Sequence, residues 1–510
     1  MGIFCPWRPE AHIVDFAALK ADNAALRTEV VRAREEAARA EANLAKVSHE
    51  LAQLKRLLFG VRSERFEPVV PDQMALFEAS RPAPEPSRMI AAAGNGRSAD
   101  RPRKHPLRQV LPSHLRREVV VIEPDVDTTG LKRIGSEVTE TLDYRPAKLV
   151  VLRRERPKYV DPADESRGVI LAELPARPID KAIAEAGLLA QTVIEKYLDH
   201  LPLYRQMQRL ARQGITIASS TIGGWVAQTA DLLVPLYEAM AKEARLSAYI
   251  QADETGIPVQ DPRLKGETHS GYYWVYHAPE KGLVVVDYQE SRSRAGPLAW
   301  LEGYVGALQT DGYAAYDGFA TRKEITHYAC WAHARRHLFE AKDSSPEEAE
   351  HALTEIQRLY AIERELRESD ATVEERRRVR QAKAVPILRD FKTYLEANRG
   401  LPKSPWGQAV NYALLRWEKL TAYTDDGRIE IDNNLCENAI RPIALGRKNY
   451  LFAGSHDAAR RGAIIYSLLG TCKKHGVEPF EWLTDVLTRI PTHPHSRVEE
   501  LLPHRWKCKG

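Results

Sequence analysis

Residues 13–58 carry apolar side chains in a seven-residue repeat with two interleaved registers. One register contains Phe16, Asn23, Val30, Ala37, Leu44, Leu51 and Leu58, and the other contains Leu19, Leu26, Ala33, Ala40, Val47 and Leu54. This a/d spacing, sustained over about six heptads, predicts a coiled coil. Asn23 falls at an a position, where its amide would pair with its twin in a parallel dimer. We therefore expect dimerisation through this segment; a long helix packed on its own chain is the alternative.

The pattern changes after the heptads. Residues 69–106 are rich in proline, alanine and small polar residues, which predicts a flexible linker. Residues 108–172 contain the β-prone runs EVVVIEP, SEVTETLDY and AKLVVLRRERPKYV. These runs predict a small β-rich module.

Residues 178–245 have helical spacing. Within them, LYRQMQRLARQGITIASSTIGGWVAQ indicates a helix, a turn at Gly214 and a second helix that Ser219 or Ser220 could cap. This layout predicts a helix-turn-helix whose second helix enters a DNA major groove, and Ser220 and Thr221 would then contact DNA. A helical hairpin without a DNA role is the alternative.

Residues 247–455 begin with alternating strand and helix patterns. Three strand-like runs, a crossover helix and a fourth strand ending at GALQT predict a ribonuclease-H-like α/β domain. A charged helical block predicts an insertion at about 341–425. Residues 456–505 are predicted to be helical, with one helix ending at Gly476. The whole chain is therefore predicted to be multidomain α+β.

Composition narrows the setting of the protein. Hydrophobic residues make up 44% of the 510 positions and charged residues 28%, with no apolar run near the roughly 20 residues that span a bilayer. The N-terminus lacks a secretory signal pattern, and five scattered cysteines are typical of a reducing compartment. We therefore expect a cytoplasmic, nucleoid-associated protein with no membrane partner.

Positive charge is clustered, although the net charge is only +4. One cluster contains Arg101, Arg103, Lys104, Arg108, Arg116 and Arg117, and the second contains Arg441, Arg447, Lys448, Arg460 and Arg461. Such clusters can bind the phosphates of double-stranded DNA. Solvated loops and helix ends are the alternative for each cluster.

Three acidic residues fit the requirements of two-metal phosphodiester chemistry, which needs carboxylates around ions roughly 4 Å apart. Asp253 lies within the first predicted strand, Asp311 follows the fourth, and Glu437 lies on a short helix that Pro442 is predicted to stop. Because strand side chains alternate, Glu254 should not share the face of Asp253. Alternatives are a turn-forming Asp311 and a capping box that joins Asn434 to Glu437.

Residues near the acids could assist them. Asn433 and Arg441 lie four positions on either side of Glu437, and Arg441, Arg447 and Lys448 could hold flanking phosphates. Cys330 and His333 have a spacing that could bind zinc, but no second ligand pair is evident, and we do not expect a zinc site. His333 could orient water or phosphate near the metal ions, or it could be a packed core histidine.

Several motifs together resemble a known family. LAQLKRLLFGVRSERF, LPLYRQMQRLARQGITIASSTIGGW, QADET, LQTDGYAAYD, CWAHARRHLFEA and IDNNLCENAIRPIALGRKNYLFAGS are similar to transposases of the insertion-sequence-sixty-six family. The resemblance implies a DDE transposase with Asp253, Asp311 and Glu437 as its triad and two Mg²⁺ or Mn²⁺ ions as cofactors. It also implies action on the terminal inverted repeats of an insertion sequence and on target DNA, with accessory proteins from the same element. Arg335 and Arg336, beside His333, are further expected DNA contacts.

The chain departs from that family at one module. Members usually carry a cysteine-rich zinc module after the coiled coil, but the matching stretches here, EPDVDTTGLKRIG and RPKYVDPADES, contain no cysteine. A structural zinc is not expected there, because zinc in such sites needs thiolate or imidazole ligands. Two other functions stay open: a catalytically inactive DNA-binding regulator descended from a transposase, and a coiled-coil scaffold without a DNA role.

Overall fold

The computed structural model describes residues 111–507, with gaps at 112, 114, 130–131, 146–147, 163–168, 265–266 and 320–321. The predicted coiled coil (13–58), the predicted linker (69–106) and the candidate DNA contacts Arg103 and Lys104 lie outside these residues. Within them the protein is a mixed α+β structure with two separate sheets, which confirms the predicted class.

The strands are numbered in chain order. They are β1 Arg117–Val121, β2 Lys132–Arg145, β3 Lys148–Val160, β4 Ile170–Leu171, β5 Tyr249–Gln260, β6 Thr268–Ala278, β7 Leu283–Gln289, β8 Gly306–Thr310 and β9 Ile325–Ala329. The fifth strand of the second sheet, β9, was not predicted. Its sequence, ITHYA, is only five residues long and does not alternate polar and apolar residues, so its periodic signal is weak.

The α-helices are numbered in the same way. Those before the insertion are α1 Ala186–Tyr197, α2 Leu203–Arg212, α3 Ser219–Leu232, α4 Val234–Arg245, α5 Ala295–Trp300 and α6 Trp331–Glu340. The helices of the insertion are α7 Pro346–Glu368, α8 Val373–Val379, α9 Val385–Ala397, α10 Pro405–Leu415 and α11 Trp417–Thr421. The last three are α12 Asn434–Tyr450, α13 His456–Lys474 and α14 Pro479–Arg489.

The first sheet has the order β1-β3-β2, and β4 pairs with the free end of β3. The long strands β2 and β3 are antiparallel, and β1 runs parallel to β3. The sheet buries Leu142 and Val151 against the helices that follow, and it is cross-linked by ion pairs such as Arg154–Glu185. Packing and ion pairs among the described residues therefore hold this cysteine-free region together.

Helices α2 and α3 are joined by a turn at Gly214, whose φ of +80° is left-handed and so favours glycine. The predicted serine cap of α3 is wrong. Ala218 occupies the N-cap with an extended backbone and makes no side-chain cap bond, so Ser219 and Ser220 are the first helical residues. Ser219, Ser220 and Thr221 are exposed at the start of α3, while Ile222 and Trp225 on the other side are buried.

The second sheet has the order β7-β6-β5-β8-β9. Strands β5, β6 and β7 are antiparallel neighbours, whereas β8 is parallel to both β5 and β9. Strand β7, LVVVDYQ, begins with four consecutive buried apolar residues because α13 covers it. Helix α13 starts at a Ser455 cap, which accepts a hydrogen bond from the Ala458 amide, and it is followed by Gly476 at a φ of +63°.

The helical insertion between α6 and α12 shares a hydrophobic core with α6 and one side of the second sheet, and this core includes Tyr249, Trp331, Phe391 and Trp417. Its helix α8 starts with a Thr372–Glu375 capping box and runs into a π-helical turn, Arg380–Ala384. That turn buries the Arg380 side chain completely. Within the described residues, every helix is too short or too polar to span a lipid bilayer.

Candidate active site

The pairing of β5 with β8 brings Asp253 and Asp311 to the same end of the second sheet. Gln251 on β5 lies opposite Gln309 on the parallel strand β8. Extending this register by two residues sets Asp253 against Asp311, on the same face as the two glutamines. Gly312 follows at a φ of +86°, so the chain turns sharply directly after Asp311.

Glu437 lies in the first turn of α12, which packs on β5 and β6. The prediction that Pro442 stops this helix is wrong, because α12 continues through Pro442 to Tyr450. An internal proline costs about 3 kcal/mol, and the burial of Ile443 and Gly446 beyond it offsets this cost. The capping-box alternative is also wrong: Asn433 is the N-cap, and the Asn434 side chain donates to Asp432 instead.

The carboxylates at this end of the sheet influence each other's ionisation. Burial raises the pKa of Asp253 well above its ordinary value, and the charges of Asp311, Glu254 and Glu437 raise it further. Burial likewise raises the pKa of Glu437, with Arg336 opposing the shift and Asp311 adding to it. These acids therefore lie close enough to repel one another, and among the described residues neither Asp253 nor Asp311 has an ion-pair partner.

Glu254 differs from Asp253, its neighbour in sequence. Its side chain is only 3% exposed and accepts hydrogen bonds from the Arg292 guanidinium at 2.9 and 2.5 Å. Burial and the charge of Asp311 raise the pKa of Glu254 to about 7, although Arg292 opposes the shift. An arginine therefore compensates Glu254, whereas Asp253 has no such partner.

Cys330, His333 and Glu437 form a second group of potential metal ligands, whose ligating atoms all lie within 4.8 Å of one another. His333 Nδ1 is 3.8 Å from Glu437 Oε1. Burial lowers the pKa of His333 to about 4, so the imidazole is neutral near pH 7. Burial also raises the pKa of the Cys330 thiol, which disfavours the thiolate that zinc requires. Among the described residues, Asp253, Asp311 and Glu437 do not form a group this compact.

Two buried glutamines connect the sheet to the segment before α12, and the sequence analysis missed them. The Gln251 amide donates to Gln309 Oε1 at 2.9 Å and to the Asp432 carbonyl at 2.9 Å, while the Gln309 amide donates to the Glu430 carbonyl at 2.8 Å. Both side chains are fully buried. A signal was present, because each candidate aspartate follows a glutamine by two residues, in QAD and in QTD.

The helical insertion holds the loop that carries Asp311. The Tyr412 hydroxyl on α10 donates to the Asp311 carbonyl at 2.7 Å, and the Arg416 guanidinium donates to the Gly312 carbonyl at 3.1 Å. A side chain at Gly312 would meet Arg416 Nε at 2.6 Å, so this close approach needs glycine. Residues about a hundred positions apart in sequence therefore fix the backbone on either side of this carboxylate.

The donor set fits a divalent cation. Carboxylate oxygens are the ligands that Mg²⁺ and Mn²⁺ prefer. Glu437 Oε1, His333 Nδ1 and both side-chain polar atoms of Asn433 are buried without a hydrogen-bond partner. Such orphaned groups are costly unless another ligand completes them. A divalent cation would satisfy Glu437 Oε1 and reduce the repulsion that raises the pKa of Asp253.

The predicted DNA contacts differ in their surroundings. Arg441 and Lys448 are exposed on α12, whereas Arg447 donates to Thr255 Oγ1 at 2.8 Å and to the Gly256 carbonyl. Arg447 therefore joins α12 to β5. Arg335 and Arg336 on α6 are half-buried, and burial lowers the pKa of Arg335.

Comparisons with known proteins show which family the chain resembles. A family model described as "Transposase IS66 family" matches residues 181–461, more than half of the chain, and one described as "IS66 C-terminal element" matches residues 467–504. A third, "Transposase C of IS166 homeodomain", matches residues 46–120.

Full-length relatives are also similar. The protein y4jD of Sinorhizobium fredii (strain NBRC 101917 / NGR234) is 35% identical over 480 residues, covering 89% of this chain and 93% of the relative. The protein y4qI of the same strain is 34% identical, covering 89% of this chain and 87% of the relative. Both relatives are described as uncharacterized proteins. The chain belongs to the IS66 transposase family.

Proposed function

We propose that this IS66-family chain is an active DNA transposase that binds the terminal inverted repeats of an insertion sequence and performs metal-dependent strand cleavage and strand transfer. The observation that supports the proposal is the parallel register of β5 and β8, which pairs Gln251 with Gln309 two residues before Asp253 and Asp311. The charges of Asp311 and Glu437 both act on Asp253. Asp311 also forms the turn that follows it, because its Oδ1 accepts a hydrogen bond from the Tyr313 amide at 2.8 Å. That turn does not account for the charges of Asp311 and Glu437 acting on Asp253.

The sheet supports this proposal. Three antiparallel strands followed by two parallel ones, in the order β7-β6-β5-β8-β9, are what a ribonuclease-H-like fold requires. In that fold Asp253 lies on the central strand and Asp311 lies directly after the neighbouring one. We assign the domain to this fold on the basis of its topology.

Asp253, Asp311 and Glu437 would hold two Mg²⁺ or Mn²⁺ ions, which supply Lewis-acid activation of the phosphodiester when bound. The chain itself contributes positioning. Gln251 and Gln309 fix the strands relative to Glu437, and Tyr412 and Arg416 fix the Asp311 loop. Neutral His333, with its Nδ1 unpartnered beside Glu437, would orient water or a phosphate oxygen.

DNA binding would use the exposed start of α3. Ser220 and Thr221 project there from a helix that follows a left-handed turn, which is compatible with a helix-turn-helix. Arg441, Lys448, Arg335 and Arg336 would contact phosphates near the acids. The N-terminal basic residues Arg103 and Lys104, the dimer through residues 13–58 and the accessory proteins of the element belong to the same proposal.

The test uses the full-length protein and a labelled duplex that carries a terminal inverted repeat with flanking DNA. We expect nicking at the repeat boundary that requires Mg²⁺ or Mn²⁺ and is abolished by EDTA. Asp253→Asn, Asp311→Asn and Glu437→Gln should each bind the duplex but fail to cut it. Binding without cleavage by the unsubstituted protein would overturn the proposal in favour of an inactive DNA-binding regulator.

A further inference from the structure

A cavity of about 170 Å³ opens beside the Asp311 loop, between the end of the second sheet and the last helices of the insertion. We call it the basic pocket; it is lined by Gly312, His327, Ala329, Leu415, Arg416 and Lys419. Gly312, which lines the pocket, directly follows Asp311, so a ligand in the pocket would lie beside the Asp311 loop.

The two cations of the basic pocket are not neutralised. Among the residues that the structure describes, neither Arg416 nor Lys419 has a carboxylate within ion-pair distance. Arg416 lies over the Tyr412 ring, 4.1 Å from its centroid, and one of its amino groups donates to the Gly312 carbonyl. The other amino group donates to the Tyr412 carbonyl at 3.5 Å, and the remaining N–H groups are available as donors for a ligand.

The histidine between these two cations, His327, is uncharged. Lys419 Nζ lies 3.2 Å from His327 Nδ1, and His327 Nε2 lies 2.8 Å from Thr310 Oγ1. Because an ammonium group can only donate, Nδ1 accepts and Nε2 carries the proton, which it donates to the threonine. Burial, with the charges of Lys419 and Arg416, lowers the pKa of His327 to about 3, so the ring is neutral. The pocket thus keeps two positive charges.

Three other arginines of the insertion, in contrast, form ion pairs with carboxylates. Arg367, Arg376 and Arg380 all pair with Glu363 or Glu430. These ion pairs neutralise the enclosed side chains of Arg376 and Arg380. Beside the Asp311 loop, in contrast, the positive charges have no carboxylate partner among the described residues. Arg336 on the adjoining helix α6 likewise has no ion-pair partner among the described residues, and its charge acts on Glu437. Positive charge thus continues from the pocket towards the acids.

We propose that the basic pocket binds a backbone phosphate of the DNA strand that is cut, adjacent to the phosphodiester at the acids. This inference rests on the proposed function and adds the substrate contact made by the insertion. Arginine and lysine are the residues that bind phosphate oxygens, and each neutralised phosphate releases counterions. A continuous strand fits better than a small anion, because the pocket is open and positive charge extends beyond it.

The experiment compares Lys419→Ala with a matched control, Lys392→Ala, an exposed lysine of the same insertion that does not line the pocket. Affinity for the terminal-repeat duplex is measured by fluorescence anisotropy across a series of salt concentrations. We expect Lys419→Ala to bind roughly 10-fold more weakly and to reduce the slope of log K against log salt by about one. Lys392→Ala should match the unsubstituted protein, and Lys419→Arg should restore binding.

A second measurement identifies the phosphate. A neutral methylphosphonate replaces the phosphate at each backbone position around the cut, one position at a time. At one position adjacent to the cut, the replacement should weaken DNA binding by the unsubstituted protein and leave DNA binding by Lys419→Ala unchanged. Equal affinity and equal salt slopes for Lys419→Ala and the unsubstituted protein would overturn the proposal. A second result would also overturn it. If inorganic phosphate raised the melting temperature of the unsubstituted protein but not that of Lys419→Ala, and both proteins bound DNA equally well, the pocket would hold a free anion rather than a DNA phosphate.

Failure of this inference can be told apart from failure of the proposed function. If the unsubstituted protein cleaves DNA normally and Lys419→Ala does not change DNA binding, only the inference about the basic pocket is rejected. A Lys419-dependent salt slope without any cleavage supports the phosphate contact and removes the catalytic proposal.

Discussion

The helical insertion encloses charged side chains fully and the acid-bearing end of the second sheet encloses them partly, and the two regions differ in whether opposite charges are paired. In the insertion, Arg380 and Glu363 are fully buried and joined by two hydrogen bonds of 2.8 and 2.7 Å. Arg380 also donates to the carbonyls of Tyr423 and Asp426. Each charge in this cluster is matched.

At the end of the sheet the charges have one sign. Asp253, Asp311 and Glu437 interact through repulsion, and burial raises the pKa of Asp253 and Glu437. A buried charge without a partner is costly, so such an arrangement persists where a ligand completes it. The difference separates a cluster in which opposite charges pair within the protein from one that, under the proposed function, a divalent cation would complete.

The largest expected effect is the loss of cleavage in Asp253→Asn. Removing a metal-holding carboxylate should reduce the rate of end cleavage by at least about 1000-fold, or about 4 kcal/mol of transition-state stabilisation. Stability without metal should be unchanged or higher, because one repelling charge is gone. Rates are measured by single-turnover nicking and stability by thermal unfolding. A marked drop in melting temperature would contradict the comparison.

The opposite outcome is expected for the insertion. Arg380→Ala leaves Glu363 buried without its partner and should lower the free energy of unfolding by about 3–5 kcal/mol. The matched control is the double variant Glu363→Leu with Arg380→Met, which removes both charges and should be much closer to the unsubstituted protein. Denaturant unfolding measures both. Similar losses in the two proteins would show that packing rather than charge matters here.

Divalent cations should stabilise the protein, and more strongly as the pH rises. The folded, metal-free protein has a raised pKa at Asp253. Between the ordinary pKa and this raised value, only the folded state keeps the proton, so stability falls with increasing pH. Mg²⁺ competes with that proton, and at 100 times its dissociation constant it would add about 2.7 kcal/mol.

Thermal unfolding with Mg²⁺ or with EDTA at pH 5.5 and pH 8 tests this prediction. The gain from Mg²⁺ should be larger at pH 8 and should be greatly reduced in Asp253→Asn. An equal rise in melting temperature with Mg²⁺ at both pH values would contradict the prediction, because metal binding would then not depend on the ionisation of Asp253.

The smallest expected effect on cleavage comes from removing a single hydrogen bond between the insertion and the Asp311 loop. Tyr412→Phe removes one hydroxyl and its bond to the Asp311 carbonyl. Cleavage should fall roughly 10-fold, about 1.4 kcal/mol, and the Mg²⁺ concentration needed for half-maximal rate should rise. Tyr394→Phe, elsewhere in the insertion, is the control and should leave both values unchanged. A slower rate with no change in Mg²⁺ dependence would argue against positioning of Asp311.

Local sequence signals predicted the mixed α+β class, which is confirmed, and the strands around Asp253 and Asp311. They failed where tertiary packing overrides local preference. Pro442 does not end α12, because burial beyond it maintains the helix, and Ala218 rather than a serine caps α3. The short strand β9 has too few residues for a clear period.

Contacts between distant parts of the chain were not accessible from the sequence pattern. Nothing near Tyr412 or Arg416 indicates that they hold residues about a hundred positions earlier, and Arg447 gives no sign that it binds β5. The glutamines could have been found. A fully polar side chain within an apolar strand needs a buried partner, and the spacing occurs twice, before both aspartates.

The hydrogen bonds from Gln251 and Gln309 to the backbone at residues 430–432 have a consequence for how the molecule opens. They join the chain segment that leaves the insertion to the two strands that carry the aspartates. Local unfolding of the insertion would therefore release those strands, so amide hydrogens in both regions should exchange with solvent as one cooperative unit. The insertion and the strands before Asp253 and Asp311 are therefore expected to be lost and regained together.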